Sequence, residues 1–339
     1  MSPTVRFWSY DPALPSFRHR SAPLASELER RGWQAAIERF PRRHYVRRIL
    51  ARRQTLAATD VLVLAKINLA PLEASLLRRL ARAIVFDVDD AIWLGKPRSA
   101  NAPPRRSAFR RHKFASSCRA ASLVVAGNGF LAESAGRHAA RVEVVPTGVE
   151  LAAYRERGAI ERDGRVVVWI GLPENLPHLE LVRRPLARLV AGGTKLTLRV
   201  VSSRFPDWTE IPIERRSWSP ESEADALATA GVGVMPLPDD DWSRGKCAFK
   251  LLQYMAAGLP CVASPVGANR EVVVPEETGL WASGDDDWTA ALSRLLGSPA
   301  DRERLGAAGR GRIRTLYDRA HLIPHAADLV EALARADRR

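Results

Sequence analysis

The sequence predicts an α/β protein built from two doubly wound parallel-sheet halves, and three observations predict it. Short apolar runs of strand length, such as Val61-Leu-Val-Leu-Ala65 and Ala83-Ile-Val-Phe86, alternate with amphipathic stretches of helical period. The alternation runs to about residue 150 and restarts at Arg165-Val-Val-Val-Trp-Ile-Gly171. The length, 339 residues, is long for one domain and natural for two.

In chain order, Val5-Arg-Phe-Trp-Ser-Tyr10 reads as the opening strand and residues 22–31 as the first helix, closed by Gly32. Arg18, His19 and Arg20 lie between them, either as solvated charge at a helix start or as cations facing a ligand. A basic run follows over 42–53, where Tyr45, Val46, Ile49 and Leu50 form an apolar stripe at helical spacing. Such a helix suits an anionic membrane surface, or it packs its stripe on its own sheet. A second basic run covers 105–113. Next come the strand 60–65, the helix 72–82 and a strand ending in Asp87, Asp89 and Asp90, which places three carboxylates where open α/β sheets bind ligands. Asp87-Val-Asp89 invites a divalent ion, or Asp89 caps a helix. Ser122 to Asn128, a helix from Phe130 and the strand 142–145 complete this half.

The second half continues with strands at 196–202 and 213–218 and with Ser219-Pro-Glu-Ser-Glu223, a helix start of capping-box character. Gly245 to Gly267 reads as a helix that feeds a strand: Phe249, Leu251, Leu252 and Met255 recur at helical spacing, Gly258 with Pro260 ends the helix, and Cys261-Val-Ala263 is buried. A glycine-bearing loop at the strand's carboxyl end, carrying Ser264 and Gly267, suits an anion such as phosphate. Residues 307–317 and 321–336 read as helices.

The formal net charge of +14 admits nucleic acid, an anionic membrane or polyanionic small molecules as partners. No nucleic-acid motif appears and the basic runs lack interleaved stacking aromatics, so no nucleic acid is expected. No run approaches a membrane span and the first residues lack the apolar stretch of a signal peptide, so a cytoplasmic protein is expected. Cys118, Cys247 and Cys261 have no metal spacing and read as packing residues.

Met255-Ala-Ala-Gly-Leu-Pro260 resembles the donor-binding motif of glycosyltransferase family 4, whose members have the GT-B fold of two Rossmann-like domains. Asp89-Asp90-Ala-Ile-Trp93 is similar to one branch of that family, and Pro146-Thr-Gly-Val-Glu150 resembles its Pro-Asn-Gly-Val-Asp linker entry. The family's Glu-x7-Glu pattern departs here, its two acids falling on Gly245 and Gln253. The resemblance implies an acceptor-side domain over 1–152, a donor-binding domain over 160–318, and a last helix, 320–339, that crosses back onto the first.

It further implies glycosyl transfer, with retention, from a nucleotide-diphosphate sugar to a cell-envelope glycan or lipid-linked acceptor, without a metal or other cofactor. Asp89 would contact the sugar and Lys246 the diphosphate. Gly171, Arg204, Trp218, Lys246, Cys247, Ala248, Lys250, Gln253, Ser264 and Gly267 would bind the donor, Trp218 or Phe205 stacking on the base. Arg18, His19, Arg20, Asp87 and Asp90 would face the acceptor across the cleft. The cations that most members carry after the strand 165–171 are missing, so Lys246 and Lys250 must supply the charge, and an acid from 239–241 would compensate for Gly245. Two rivals follow from the missing acids and the fold: a degenerate scaffold, or a sugar-nucleotide epimerase.

Overall fold

The computed structural model describes residues 2–40, 43–97, 102–154 and 162–337. Fourteen strands occur in them: β1 Thr4–Ser9, β2 Gln34–Arg39, β3 Val61–Ala65, β4 Ala83–Val88, β5 Leu94–Gly95, β6 Arg105–Arg106, β7 Leu123–Ala126, β8 Val142–Val144, β9 Val166–Ile170, β10 Thr197–Val201, β11 Ile213–Arg216, β12 Val232–Met235, β13 Cys261–Ala263 and β14 Leu280–Trp281. Apart from the small antiparallel β5–β6 pair, they form two all-parallel six-stranded sheets. This is the two-domain arrangement of a GT-B protein. Every residue of β3 and β9 is buried, as expected of strands covered by helices on both faces.

The order of the first sheet is β2-β1-β3-β4-β7-β8 and that of the second β11-β10-β9-β12-β13-β14. Chain direction across the sheet therefore reverses between β1 and β3 in one domain and between β9 and β12 in the other. At such a switch point the two flanking loops part and leave a crevice at the carboxyl ends of the strands. Both crevices matter below.

Each sheet has an apolar core on both faces. Trp8, Phe40 and Phe86 lie on one side of the first sheet, with Phe7, Leu28 and Val85 on the other. The turn of Ile313–Tyr317 still packs in the second domain's core, and the chain crosses back at Asp318, which bridges to Val149. The following helix, Arg319–Asp337, sets Ala327, Leu329 and Val330 against the first domain's core and ion-pairs Arg31 with Asp328.

The basic stretch over 42–53 differs from a single long amphipathic helix; its first residue lies outside the described residues. It forms the two short helices Tyr45–Ala51 and Arg53–Ala57. Tyr45 and Ile49 are buried beside Phe40 and Leu56, so half of the apolar stripe serves the protein's own core, while Leu50 is exposed. Arg52 pairs with Glu38 on β2. The second run divides between β6 and the helix Ala108–Ala120, and no helix among the described residues is long and apolar enough to cross a membrane.

Candidate active site at the interdomain cleft

The second domain's crevice is built around the helix Phe249–Ala256. The preceding Ala248 takes a left-handed conformation, φ 52°, which turns the chain sharply into the helix. The backbone N–H groups of Cys247, Ala248, Phe249 and Lys250 meet no acceptor among the described residues, the usual condition of a helix start that awaits an anion. Gly171, directly after β9, lies across from it. A Cβ there would come within 2.7 Å of both Lys250 Cε and the Trp169 ring, so only glycine leaves space for the lysine.

Two lysines line this crevice without a carboxylate partner among the described residues. Lys250 rests its ammonium 5.5 Å from the Trp169 ring centre, and Lys246 donates only a long hydrogen bond, 3.3 Å, to Asn175 Oδ1. Burial, reinforced by the neighbouring Lys246, lowers the Lys250 pKa to about 7. Lys246 is lowered too, by burial first and by Lys66 and Lys96 after it, with Asp90 opposing. His178 on the turn Pro173–Leu179 is pushed down to about 3 by burial and by Lys246, Lys250 and Lys96, so it is a neutral imidazole at pH 7. Positive charge here exceeds what the protein itself neutralises.

The first domain's facing edge is the opposite case. Arg20 is buried and grips Asp87 at 2.7 Å, its remaining donors going to Val145 O and Thr147 Oγ1. Expected in the cleft, Arg20 and Asp87 instead satisfy each other, because the buried guanidinium needs a carboxylate and Asp87, only 13% exposed, supplies it. Asp89 and Asp90 both pair with Lys66, which follows β3 and also reaches Ser16. Burial opposes ionisation of Asp89, but Lys66 and Arg20 outweigh it and hold the carboxyl below its ordinary range. Asp89 caps no helix among the described residues.

The two edges meet in a tight seam. The Cys247 thiol points at Asp89 O, 3.3 Å away, and Asn128 Nδ2 donates to Arg244 O and Lys246 O. A Cβ on Gly245 would lie 2.6 Å from Ala91 Cβ and 2.7 Å from Ala91 N. Position 245 therefore has no space for any side chain in this arrangement, glutamate included. Gly267, at φ 53°, is packed equally closely on the backbone of Arg244. The acids at 239–241 do not fill the gap: Asp240 caps the short helix Asp241–Arg244, while Asp239 and Asp241 pair with Arg244. Two ring contacts add to the seam, His19 on Phe249 at 4.3 Å and the Arg18 guanidinium over Trp218 at 5.2 Å. Burial and Arg18 lower the His19 pKa to about 4.

Trp218 donates to Glu223 at 2.8 Å, and the same carboxylate accepts from Tyr154 and from Gln253 Nε2, each at 2.6 Å. Gln253 is thus buried in an internal network with its amide nitrogen bound to Glu223. Ser264 is buried as well, its hydroxyl accepting from Leu237 N–H, so it holds two loops together. Arg204 is exposed on the loop after β10, one strand away from the crevice, and Phe205 packs partly into the core. Lys66, Lys96, Asn175, His178 and Glu223 join the site although nothing in the motif marks them. For Lys66 a signal existed, since it ends a strand on the ligand-binding edge.

Residues 164–298 match the family model described as Glycosyl transferases group 1. A D-inositol 3-phosphate glycosyltransferase of Frankia alni is 28% identical over 239 residues, 62% of this chain and 58% of that protein. An MMP alpha-(1->4)-mannosyltransferase of Mycolicibacterium hassiacum is 41% identical over 186 residues, 51% of this chain and 44% of its own. The chain thus spans about half the length of these relatives. In fold it is similar to a sucrose-phosphate synthase from Thermosynechococcus elongatus, with TM-score 0.75 and 16% identity over 98% of this chain and all of that one. Anabaena HepE in complex with UDP and glucose gives 0.70 and 11% over 97% of this chain and 100% of that one.

Proposed function

We propose that the protein transfers a glycosyl group, with retention, from a nucleoside diphosphate sugar to a hydroxyl of a cell-envelope glycan or lipid-linked acceptor. The observation that carries this reading is the uncompensated pair Lys246 and Lys250 beside four open N–H groups at the switch point of the second sheet. A diphosphate brings the charge that this crevice lacks. The family match of the same domain and the UDP held by a protein of similar fold support it.

In the reaction the acceptor oxygen bonds to the anomeric carbon, while the bond from that carbon to the diphosphate breaks with its electron pair on the diphosphate. The hydroxyl proton passes to the departing oxygen. Lys246, Lys250 and the helix start stabilise the charge that grows there. The lysines do the neutralising that a divalent ion otherwise performs, so turnover is expected to survive EDTA. Gln253 and Glu223 lie on the side where the nucleoside belongs, and Trp218 offers the base an aromatic face.

Thermal shift against UDP-, GDP-, ADP-, dTDP- and CMP-linked sugars tests the reading, because a ligand bound only by the native state raises its apparent stability. A clear preference supports a working donor site; no response to any of them defeats it. The sealed seam at Gly245 favours a second reading, a binding subunit without turnover. That protein would show the thermal shift but release no nucleoside diphosphate. An epimerase would convert the donor with no acceptor present. We also place the protein in the cytoplasm, touching anionic membranes through arginine heads of 43–53 and 105–113 rather than by insertion, since Tyr45 and Ile49 are already buried.

A further inference from the structure

The first domain has a crevice of its own at the β1/β3 switch point, a cavity of about 540 Å³ that none of the motifs predicts. Ser9 and Tyr10 form one wall, at the end of β1, and Ala65 and Lys66 the other, at the end of β3. The wall at Lys66 continues into the pair with Asp89 and Asp90, so the cavity opens beside the edge that faces the donor crevice.

Its lining is unequal in charge. Lys66, Arg110 and Lys113 contribute three cations, and none of the lining residues is Asp or Glu. Lys66 is neutralised by its two aspartates, but the other two have no carboxylate partner among the described residues. Among the described residues the Lys113 ammonium has only ring contacts, 5.2 Å to Tyr45 and 5.5 Å to Phe109, and the Arg110 guanidinium gives one hydrogen bond, 3.2 Å, to Leu94 O. Two uncompensated cations match a phosphate monoester, which carries about −1.5 to −2 at neutral pH.

The remaining surface suits a hydroxylated ring. Asn68 Nδ2 donates to Ile92 O, which fixes the amide's orientation and leaves Oδ1 buried with no donor. A buried oxygen without a donor is costly, and a small shift of the amide toward the cavity would let a ligand hydroxyl satisfy it. The Phe109 ring, exposed beside Lys113, offers an apolar face to the C–H side of a sugar or polyol.

We infer that this cavity binds the phosphate-bearing portion of the acceptor, a phosphorylated sugar or polyol, with Arg110 and Lys113 on the phosphate and Asn68 on a ring hydroxyl. The word acceptor rests on the transferase reading, whereas phosphate binding does not. The phosphate comes either from a soluble sugar phosphate or from a lipid headgroup of the same chemistry.

The test titrates the whole chain with glucose 6-phosphate, with glucose, and with phosphatidylcholine vesicles carrying phosphatidylinositol 4-phosphate, whose 4-phosphate is a monoester, with UDP followed separately. Saturable binding of glucose 6-phosphate but not glucose is expected, weakened about tenfold or more by the double variant Arg110→Ala/Lys113→Ala, since each charged hydrogen bond is worth roughly that factor. Lys113→Arg should retain binding, and the UDP response of each variant reports that it has folded. Binding to the vesicles alone, abolished in the double variant, assigns the phosphate to a lipid. Equal binding of glucose, binding unaffected by the double variant, or no binding of either phosphate probe overturns the inference. Loss of the UDP response in the wild type with phosphate binding intact defeats the donor reading and leaves this one standing.

Discussion

The two carboxyl-end edges that face each other across the cleft carry similar charged residues and use them in opposite ways. On the first domain, Arg20 with Asp87 and Lys66 with Asp89 and Asp90 close into self-neutralised pairs. On the second, Lys246 and Lys250 stand half-buried with no carboxylate partner among the described residues, and burial depresses both pKa values. A buried charge is tolerable when an ion of opposite sign is either built in or brought in. The first edge therefore carries its own neutralising charges, and the second leaves its lysines open to an anion from outside.

The largest effect should come from breaking the closed edge. Arg20→Ala leaves Asp87 buried without its cation and frees Val145 O, and should lower unfolding free energy by about 3–5 kcal/mol in urea titration. A loss under about 1 kcal/mol would mean that water reaches Asp87, and the comparison would break there. At the open edge the order of effects should invert. Lys250→Met should weaken UDP binding by about 10- to 100-fold while leaving stability equal or higher, because it removes an unpaired buried ammonium. Lower stability with unchanged UDP affinity would place Lys250 among the structural residues.

A pH experiment sharpens the same contrast. Lys250 loses its proton in the folded protein near about 7, against 10.5 for the ordinary side chain. Between these values the unfolded chain binds more protons than the native one, so this group makes stability rise with pH across that window. A bound diphosphate restores the charge. UDP binding near the upper half of the window should therefore take up a proton, visible as a dependence of calorimetric heat on buffer ionisation enthalpy. Buffer-independent heats would remove Lys250 from the phosphate. The smallest effect is expected at Trp218→Ala, which removes the contact with Arg18 across the seam and an aromatic face for the base. A loss of about 0.5–1 kcal/mol in UDP affinity, read by calorimetry, is expected. An unchanged affinity would leave Trp218 as a seam residue.

Much of the fold was legible because buried parallel strands leave continuous apolar runs. Val61–Ala65 and Val166–Ile170 were readable on that ground alone, and the capping box at Ser219 is present as the sequence implied. The candidate crevice of the second domain was legible through one segment, Lys246 to Ala256, because its helix start, lysines and following strand are contiguous. Arg20, Asp87 and Ser264 were readable as polar residues near the edge, but not as residues bonded internally. Their partners are 67 positions away for the ion pair and 27 for the serine, and such pairing leaves no local pattern. Glu223 was visible only as part of a cap, since its bonds to Gln253 and Tyr154 are made by tertiary packing.

The sequence by itself determined the alternation of strand and helix, the division into two α/β halves and the placing of two lysines at the start of one helix, because these depend on local periodicity and on neighbours along the chain. Only the tertiary structure decided which charges are cancelled and which are left open. That choice depends on distances between strand ends contributed by remote parts of the chain, and it turned one charged edge into a structural clasp, the other into a candidate ligand site, and position 245 into a seam too narrow for the side chain the motif leads one to expect.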